Sequence, residues 1–180
     1  MSLLTVKEHL KKYSKDKDII ELDKSSATVA LAAISLNTNP DNIAKTLAFS
    51  DNNSGCIIIV TSGESRIDNH KFKEYFGFKA RMLSKEETLK FTSHEIGGVC
   101  PFGLNDVDKI YLDVSLKKHS EVFPACARIG KAQIYYFVSI LFNSFFSFSN
   151  SFRLFFGVGN FSGIVPPISA IAFLTFLPTS

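Results

Sequence analysis

The run Ile57-Ile58-Ile59-Val60 constrains this chain more than any other stretch. Four consecutive branched apolar residues cannot alternate between core and water, so they read as a strand buried on both faces. Such a strand needs apolar cover above and below it, and the flanking sequence offers the pieces. Lys45 to Ser50 reads as a second strand, joined to Cys56–Thr61 through Asp51-Asn52-Asn53-Ser54-Gly55, a hairpin-type connection.

The remaining elements follow from caps and periodicity. Thr5-Val6-Lys7-Glu8 fits a capping box, with Val6, Leu10 and Tyr13 on one side of the helix it opens. Ile19 to Leu22 is a short strand. Ser26 or Thr28 caps a small-residue helix through Leu36, and Asn39-Pro40 starts another short helical turn. A helix is predicted over Asp68 to Phe76, a strand over Ala80 to Leu83, and a helix to about Phe91 opened by the capping box Ser84-Lys85-Glu86-Glu87. Strands are expected at Lys109 to Leu112 and near Glu121 to Phe123. This irregular order, without a β-α-β repeat, argues for an α+β fold.

Bulk properties set bounds. At 180 residues the chain suits one well-packed domain, and 46% hydrophobic with 21% charged residues is ordinary for a globular protein. A net charge of +3 permits RNA binding without arguing for it. Cys56, Cys100 and Cys126 are odd in number and widely spaced, so neither a disulfide framework nor a cysteine zinc site is indicated. No metal or cofactor is expected, and a reducing cytoplasm is the expected location. The amino terminus has no signal-peptide core.

The averages hide a break. All 17 acidic residues lie at or before Glu121, whereas Ala132 to Ser180 carries one charge, Arg153, and 11 of the 18 phenylalanines. We therefore divide the chain into a domain over 1–131 and an anomalous apolar tail over 132–180. Three readings stand for the tail: frame-shifted sequence, a membrane anchor, or an unusual native segment. Two uncharged stretches of more than 20 residues are long enough to span a bilayer. Serine and asparagine dilute the first, Gly157, Gly159, Gly163, Pro166 and Pro167 interrupt the second, and no basic cluster flanks them. The Phe, Ser, Leu, Ile and Asn content matches a T-rich stretch read in the wrong frame, so the aberrant reading is favoured and a membrane partner is not expected.

Chemistry concentrates elsewhere. Thr92 to Leu104 holds Gly97, Gly98, Pro101 and Gly103 among Ile96, Val99, Phe102 and Leu104. Glycine and proline exclude a helix or central strand, while the apolar residues demand burial. A loop so held can aim backbone N–H groups at an oxyanion or carbonyl, or it can be a tight structural turn. Lys45 sits among apolar residues at a strand start, either with an anionic partner or with its ammonium snorkelling to the surface. His94 and Cys100 are close enough in sequence for a thiol–imidazole dyad, though packing is the favoured role of Cys100. Arg66 and Asp68 read as a local ion pair and cap, and Asp113 as a turn cap. Lys71, Lys73, Lys79 and Arg81 offer either a modest basic face or an ordinary solvated one.

In order and spacing, several segments resemble the YbaK-like aminoacyl-tRNA deacylases, the family that includes the editing domain of bacterial prolyl-tRNA synthetases. They are Ser26-Ala27-Thr28-Val29-Ala30, Asn39-Pro40-Asp41-Asn42-Ile43-Ala44-Lys45-Thr46-Leu47, Gly63 to Asp68, Lys71 to Gly77, Tyr111-Leu112-Asp113 and Val122 to Ala125. The specific parts are the lysine of Ile-Ala-Lys-Thr-Leu and the Gly-x-x-x-Pro element from Gly97 to Pro101. Ser93 departs from the glycine that the family often has there. The resemblance spans Thr5 to Ala127, whereas relatives continue with a final strand and helix, which implies a domain incomplete at its C-terminal end.

What the resemblance implies is a mixed, partly closed sheet flanked by helices, and hydrolysis of the ester of mischarged aminoacyl-tRNA, most commonly prolyl-tRNA carrying a small amino acid. Lys45 would orient the tRNA 3′ end, and Gly97, Gly98, Val99, Cys100 and Pro101 would supply the oxyanion-binding loop. Thr46, His94, Phe102 and Gly103 would line the substrate. Partners would be the acceptor end of aminoacylated tRNA and prolyl-tRNA synthetase. The alternative is a non-catalytic module that binds a nucleotide or aminoacyl ligand, with the tail as a membrane tether.

Overall fold

A computed structural model describes residues 3–22, 26–104, 107, 109–126, 132–134, 136–137 and 153–155. Its helices are α1 (Leu3–Lys11), α2 (Val29–Leu36), α3 (Asn69–Phe76) and α4 (Lys85–Thr92). The strands are β1 (Ile19–Glu21), β2 (Ile43–Ser50), β3 (Cys56–Ser62), β4 (Lys109–Asp113), β5 (Glu121–Pro124), β6 (Ala132–Ile134), β7 (Tyr136–Phe137) and β8 (Arg153–Phe155). Short 3-10 helices include Pro40–Asn42 and Val114–Lys118.

The main sheet runs β7-β5-β2-β3-β4-β8, and β1 pairs with β6 in a second, two-stranded sheet. β2 and β3 form the predicted antiparallel hairpin, with Lys45 opposite Thr61. β3 pairs in parallel with β4, and β2 in parallel with β5 through Ile43–Phe123 and Ala44–Pro124. The sheet is therefore mixed, as expected of the family.

Every residue of β3 is buried, and its two faces serve different cores. Ile58 and Val60 pack with Val6 and Leu10 of α1 and with Val99, Cys100 and Phe102 of the glycine-bearing loop. Ile57 and Ile59 pack with Phe49, Phe72 and Tyr111. Phe72, on α3, is fully buried, its ring centroid 5.2 Å from that of Phe49 and 4.5 Å from that of Phe76. α2 supplies a third cluster, Ala32 and Ala33 against Ile43 and Phe123. Small residues on α2 let it lie close to the β2–β5 pair.

The local signals behave as their chemistry dictates. Thr28 caps α2 by accepting from the Leu31 N–H at 3.2 Å, and Asp68 caps α3 through the His70 and Lys71 N–H groups. Ser84 and Glu87 complete the capping box of α4. Asp113 accepts from the Ser115 N–H at 2.8 Å and so caps Val114–Lys118.

Three expectations require correction. α1 already runs at Leu3, two residues before the anticipated Thr5 cap, because Leu3 packs against the core. Among the described residues, Ala80 to Leu83 makes only the bridge Phe49–Met82, flanked by Ser50 N–H to Arg81 O and Leu83 N–H to Ala48 O. Ser84 starts α4 before a ladder can extend. Asp68 Oδ1 serves the α3 cap rather than Arg66, whose charge acts on Lys45 instead.

The division at residue 131 and the readings of the tail concern residues that lie largely outside those described. Within that stretch β6 pairs antiparallel with β1, β7 antiparallel with β5, and β8 in parallel with β4. No helix among the described residues is long and apolar enough to cross a membrane.

Candidate functional site

A cleft of about 110 Å³ opens where the start of α2, the strand β2 and the glycine-bearing loop meet. Ser26, Ala27, Thr28, Val29 and Ala32 form one wall, Ile43 to Thr46 a second, and Gly97 and Val99 a third, with Ala125 at one side. The walls are small or apolar apart from a few hydroxyls and one ammonium.

Lys45 is half-buried at the cleft. Its Nζ donates to the Gly63 carbonyl at 3.0 Å and to the Ser65 carbonyl, both in the turn that follows β3. Burial lowers its pKa below the ordinary lysine value, the Arg66 charge lowers it further, and Asp41 acts in the opposite sense. No ion pair neutralises it among the described residues. An ammonium has three donors, so two carbonyls leave one for a ligand.

The loop opposite is shaped by one turn. The Gly98 N–H donates to the Glu95 carbonyl at 2.9 Å, with Gly97 between them at φ +88°. A side chain would be strained at that φ, which accounts for the glycine. Gly98 is thus committed to holding the turn. The Gly97 and Val99 N–H groups make no hydrogen bond to another described residue, and both residues line the cleft.

Beyond Val99 the loop turns inward. Cys100, Pro101, Phe102 and Gly103 are buried, and none of them lines the cleft. Cys100 Sγ donates to the Phe102 carbonyl at 3.4 Å and lies 4.0 Å from His94 Nε2. His94 is 1% exposed, its Nδ1 has no partner among the described residues, and burial brings its pKa down to about 4. A neutral imidazole beside a buried thiol belongs to the support of the loop in this conformation. Thr46 reaches the cleft, and its Oγ1 is buried with no partner among the described residues.

The structure therefore brings Lys45, Thr46, Gly97 and Val99 together and leaves Gly98, His94, Cys100, Pro101, Phe102 and Gly103 behind them. The α2 wall and Ala125 were not anticipated as site residues. The Thr28 cap signals where α2 starts, but nothing local says that this end faces β2. Of the anticipated basic face, Arg81 is engaged by Glu87 through two hydrogen bonds of 2.9 and 3.1 Å. Among the described residues no group of three or more His, Cys, Asp or Glu could hold a metal ion.

Comparison with known proteins bears on this geometry. The family model described as an aminoacyl-tRNA editing domain matches residues 23–132. The uncharacterized protein YwhH of Bacillus subtilis (strain 168) is 49% identical over 132 residues, which is 73% of this chain and 84% of that protein. A crystal structure of a candidate trans-editing enzyme for prolyl tRNA synthetase superposes with a TM-score of 0.70 at 28% identity, covering 78% of this chain and 90% of the other. A scaffold protein from epitope backbone grafting gives a TM-score of 0.75 at 22% identity, over 89% of this chain and 100% of its own, and shares the fold.

Proposed function

The chain belongs to the aminoacyl-tRNA editing domain family, and from that membership we propose that it hydrolyses the ester linking a wrongly attached amino acid to tRNA. The observation that carries this reading is the facing pair formed by Lys45 and the Gly97–Val99 loop across one small cleft. Water adds to the ester carbonyl, and the Gly97 and Val99 N–H groups receive the oxyanion of the tetrahedral intermediate. Such donors contribute about 2.7–4 kcal/mol each in other enzymes. Collapse of the intermediate releases the free amino acid and returns the proton to the ribose hydroxyl of the tRNA. The remaining donor of Lys45 orients the negatively charged 3′ end or the ester, for which a point charge with rotatable donors is suited.

A cleft of about 110 Å³ walled by Val29, Ala32 and Ala44 supports a small amino acid as the group removed. The structural relative described as acting for prolyl tRNA synthetase supports prolyl-tRNA as the carrier and that synthetase as a partner. The proposed domain is residues 1–131. The experiment is hydrolysis of a panel of mischarged prolyl-tRNAs by the wild type and by Lys45→Ala. Selective deacylation lost in the variant is expected. Tight binding of the charged tRNA by a wild type that never turns it over would replace the enzyme by a binding module.

A further inference from the structure

The ammonium of Lys45 rests on one turn, and that turn rests on a carboxylate. Ser62 to Ser65 close a turn through the Ser65 N–H and the Ser62 carbonyl at 3.1 Å, and the Gly63 and Ser65 carbonyls hold Lys45 Nζ. Asp41 grips this turn on both sides of Gly63. The Ser62 hydroxyl donates to Asp41 Oδ1 and, at 2.9 Å, to the Asp41 carbonyl, while the Glu64 N–H reaches Oδ1 at 3.4 Å.

Further contacts fix the arrangement. A Cβ on Gly63 would lie 2.0 Å from the Pro40 carbonyl oxygen, so the turn is pressed against the segment that carries Asp41. Asp41 Oδ2 lies 2.5 Å from Lys118 Nζ and 3.2 Å from His119 Nε2. The 3-10 helix bearing Lys118 is anchored to the same end of β3, where the Ser62 N–H donates to Ser115 Oγ at 3.1 Å.

We infer that Asp41 is a positioning residue for Lys45: it fixes the Ser62–Ser65 turn whose carbonyls aim the ammonium, and it supplies a negative charge that the ammonium feels. This rests on the reading of Lys45 as the substrate-facing cation. Asp41 touches no substrate in this assignment. Its charge is secure: burial pushes its carboxyl up, but the hydrogen bonds from Lys118 and Ser62 outweigh this and bring it down to about 2. The charges acting on Lys45 are those of Arg66 and Asp41, and the ionisable neighbours of Asp41 itself are Glu64, Lys118 and His119.

The test is NMR of the full chain with isotope-labelled lysine, the Lys45 signal being assigned by its loss in Lys45→Ala. In Asp41→Asn, which keeps size and one acceptor, Lys45 should titrate at lower pH than in the wild type. In Ser62→Ala, which removes an anchor but no charge, the Lys45 ammonium protons should exchange faster with water and the deacylation rate should fall. A purely structural role would lower the melting temperature and leave both signals in place. Unchanged titration in folded Asp41→Asn overturns the inference, as does unchanged exchange in Ser62→Ala. Both signals read Lys45 without turnover, so a wild type lacking deacylase activity would sink the proposed function and leave this inference standing.

Discussion

Gly97 packs beside Ala27: a Cβ built on it would lie 3.6 Å, an ordinary van der Waals distance, from the Ala27 carbonyl oxygen. The contact brings the glycine-bearing loop to the start of α2, and both residues line the cleft.

Gly97→Ala should therefore separate backbone strain from steric blockage. The space is ordinary van der Waals contact, but φ +88° is unfavourable for alanine by about 1–2 kcal/mol. We expect a modest drop in melting temperature and a larger loss of deacylation, because relief of strain moves the Gly97 and Val99 N–H groups. Full activity in the folded variant would remove the loop from the mechanism.

Thr46→Val tests the buried hydroxyl. Its Oγ1 has no partner among the described residues, so an isosteric apolar group should leave unfolding free energy unchanged or raise it by up to about 1 kcal/mol. If the hydroxyl meets substrate, kcat/KM should fall about five-fold. A clearly destabilised variant would show that Thr46 is held by a partner after all.

Phe72→Ala should cost about 3–5 kcal/mol, since the ring is fully buried against Phe49, Phe76 and Phe78. That is a large share of the ~5–15 kcal/mol that typically holds a domain together. Chemical denaturation checks it, and a loss below about 1 kcal/mol would mean that the second core is not packed as described.

Acid should weaken the fold in two steps. The His94 pKa falls from 6.5 to about 4 through burial, so the unfolded chain takes up a proton first. Stability present above pH 6.5 is lost as pH falls toward 4, by roughly 3 kcal/mol. Asp41, brought from 3.8 down to about 2, adds a loss of roughly 2 kcal/mol between those values. Denaturation midpoints from pH 7 to 2 check this, and His94→Gln should flatten the upper step. An identical slope in that variant would place the titrating group elsewhere.

Much of the fold was legible because it is written in short range. The double burial of Ile57 to Val60 needs only four adjacent residues. The caps by Thr28, Asp68, Ser84 and Asp113 need a side chain and an N–H two or three residues on. Ala80 to Leu83 misled because its β-prone composition carries no information about how soon α4 begins. Lys45 and the Gly97 loop were legible as candidates through family resemblance, and their facing arrangement was not.

The local pattern of apolar, capping and turn residues thus determined most of the elements from Leu3 to Pro124 and the residues capable of chemistry. What surrounds Lys45 was decided by tertiary structure alone. Gly63 and Ser65 reach it from 18 and 20 residues away because β2 and β3 pair antiparallel. Lys118 reaches Asp41 only because β4 and β5 return in parallel on either side of that hairpin. Hydrogen bonds and charges act over a few ångströms of space, and strand register sets that distance where sequence separation does not.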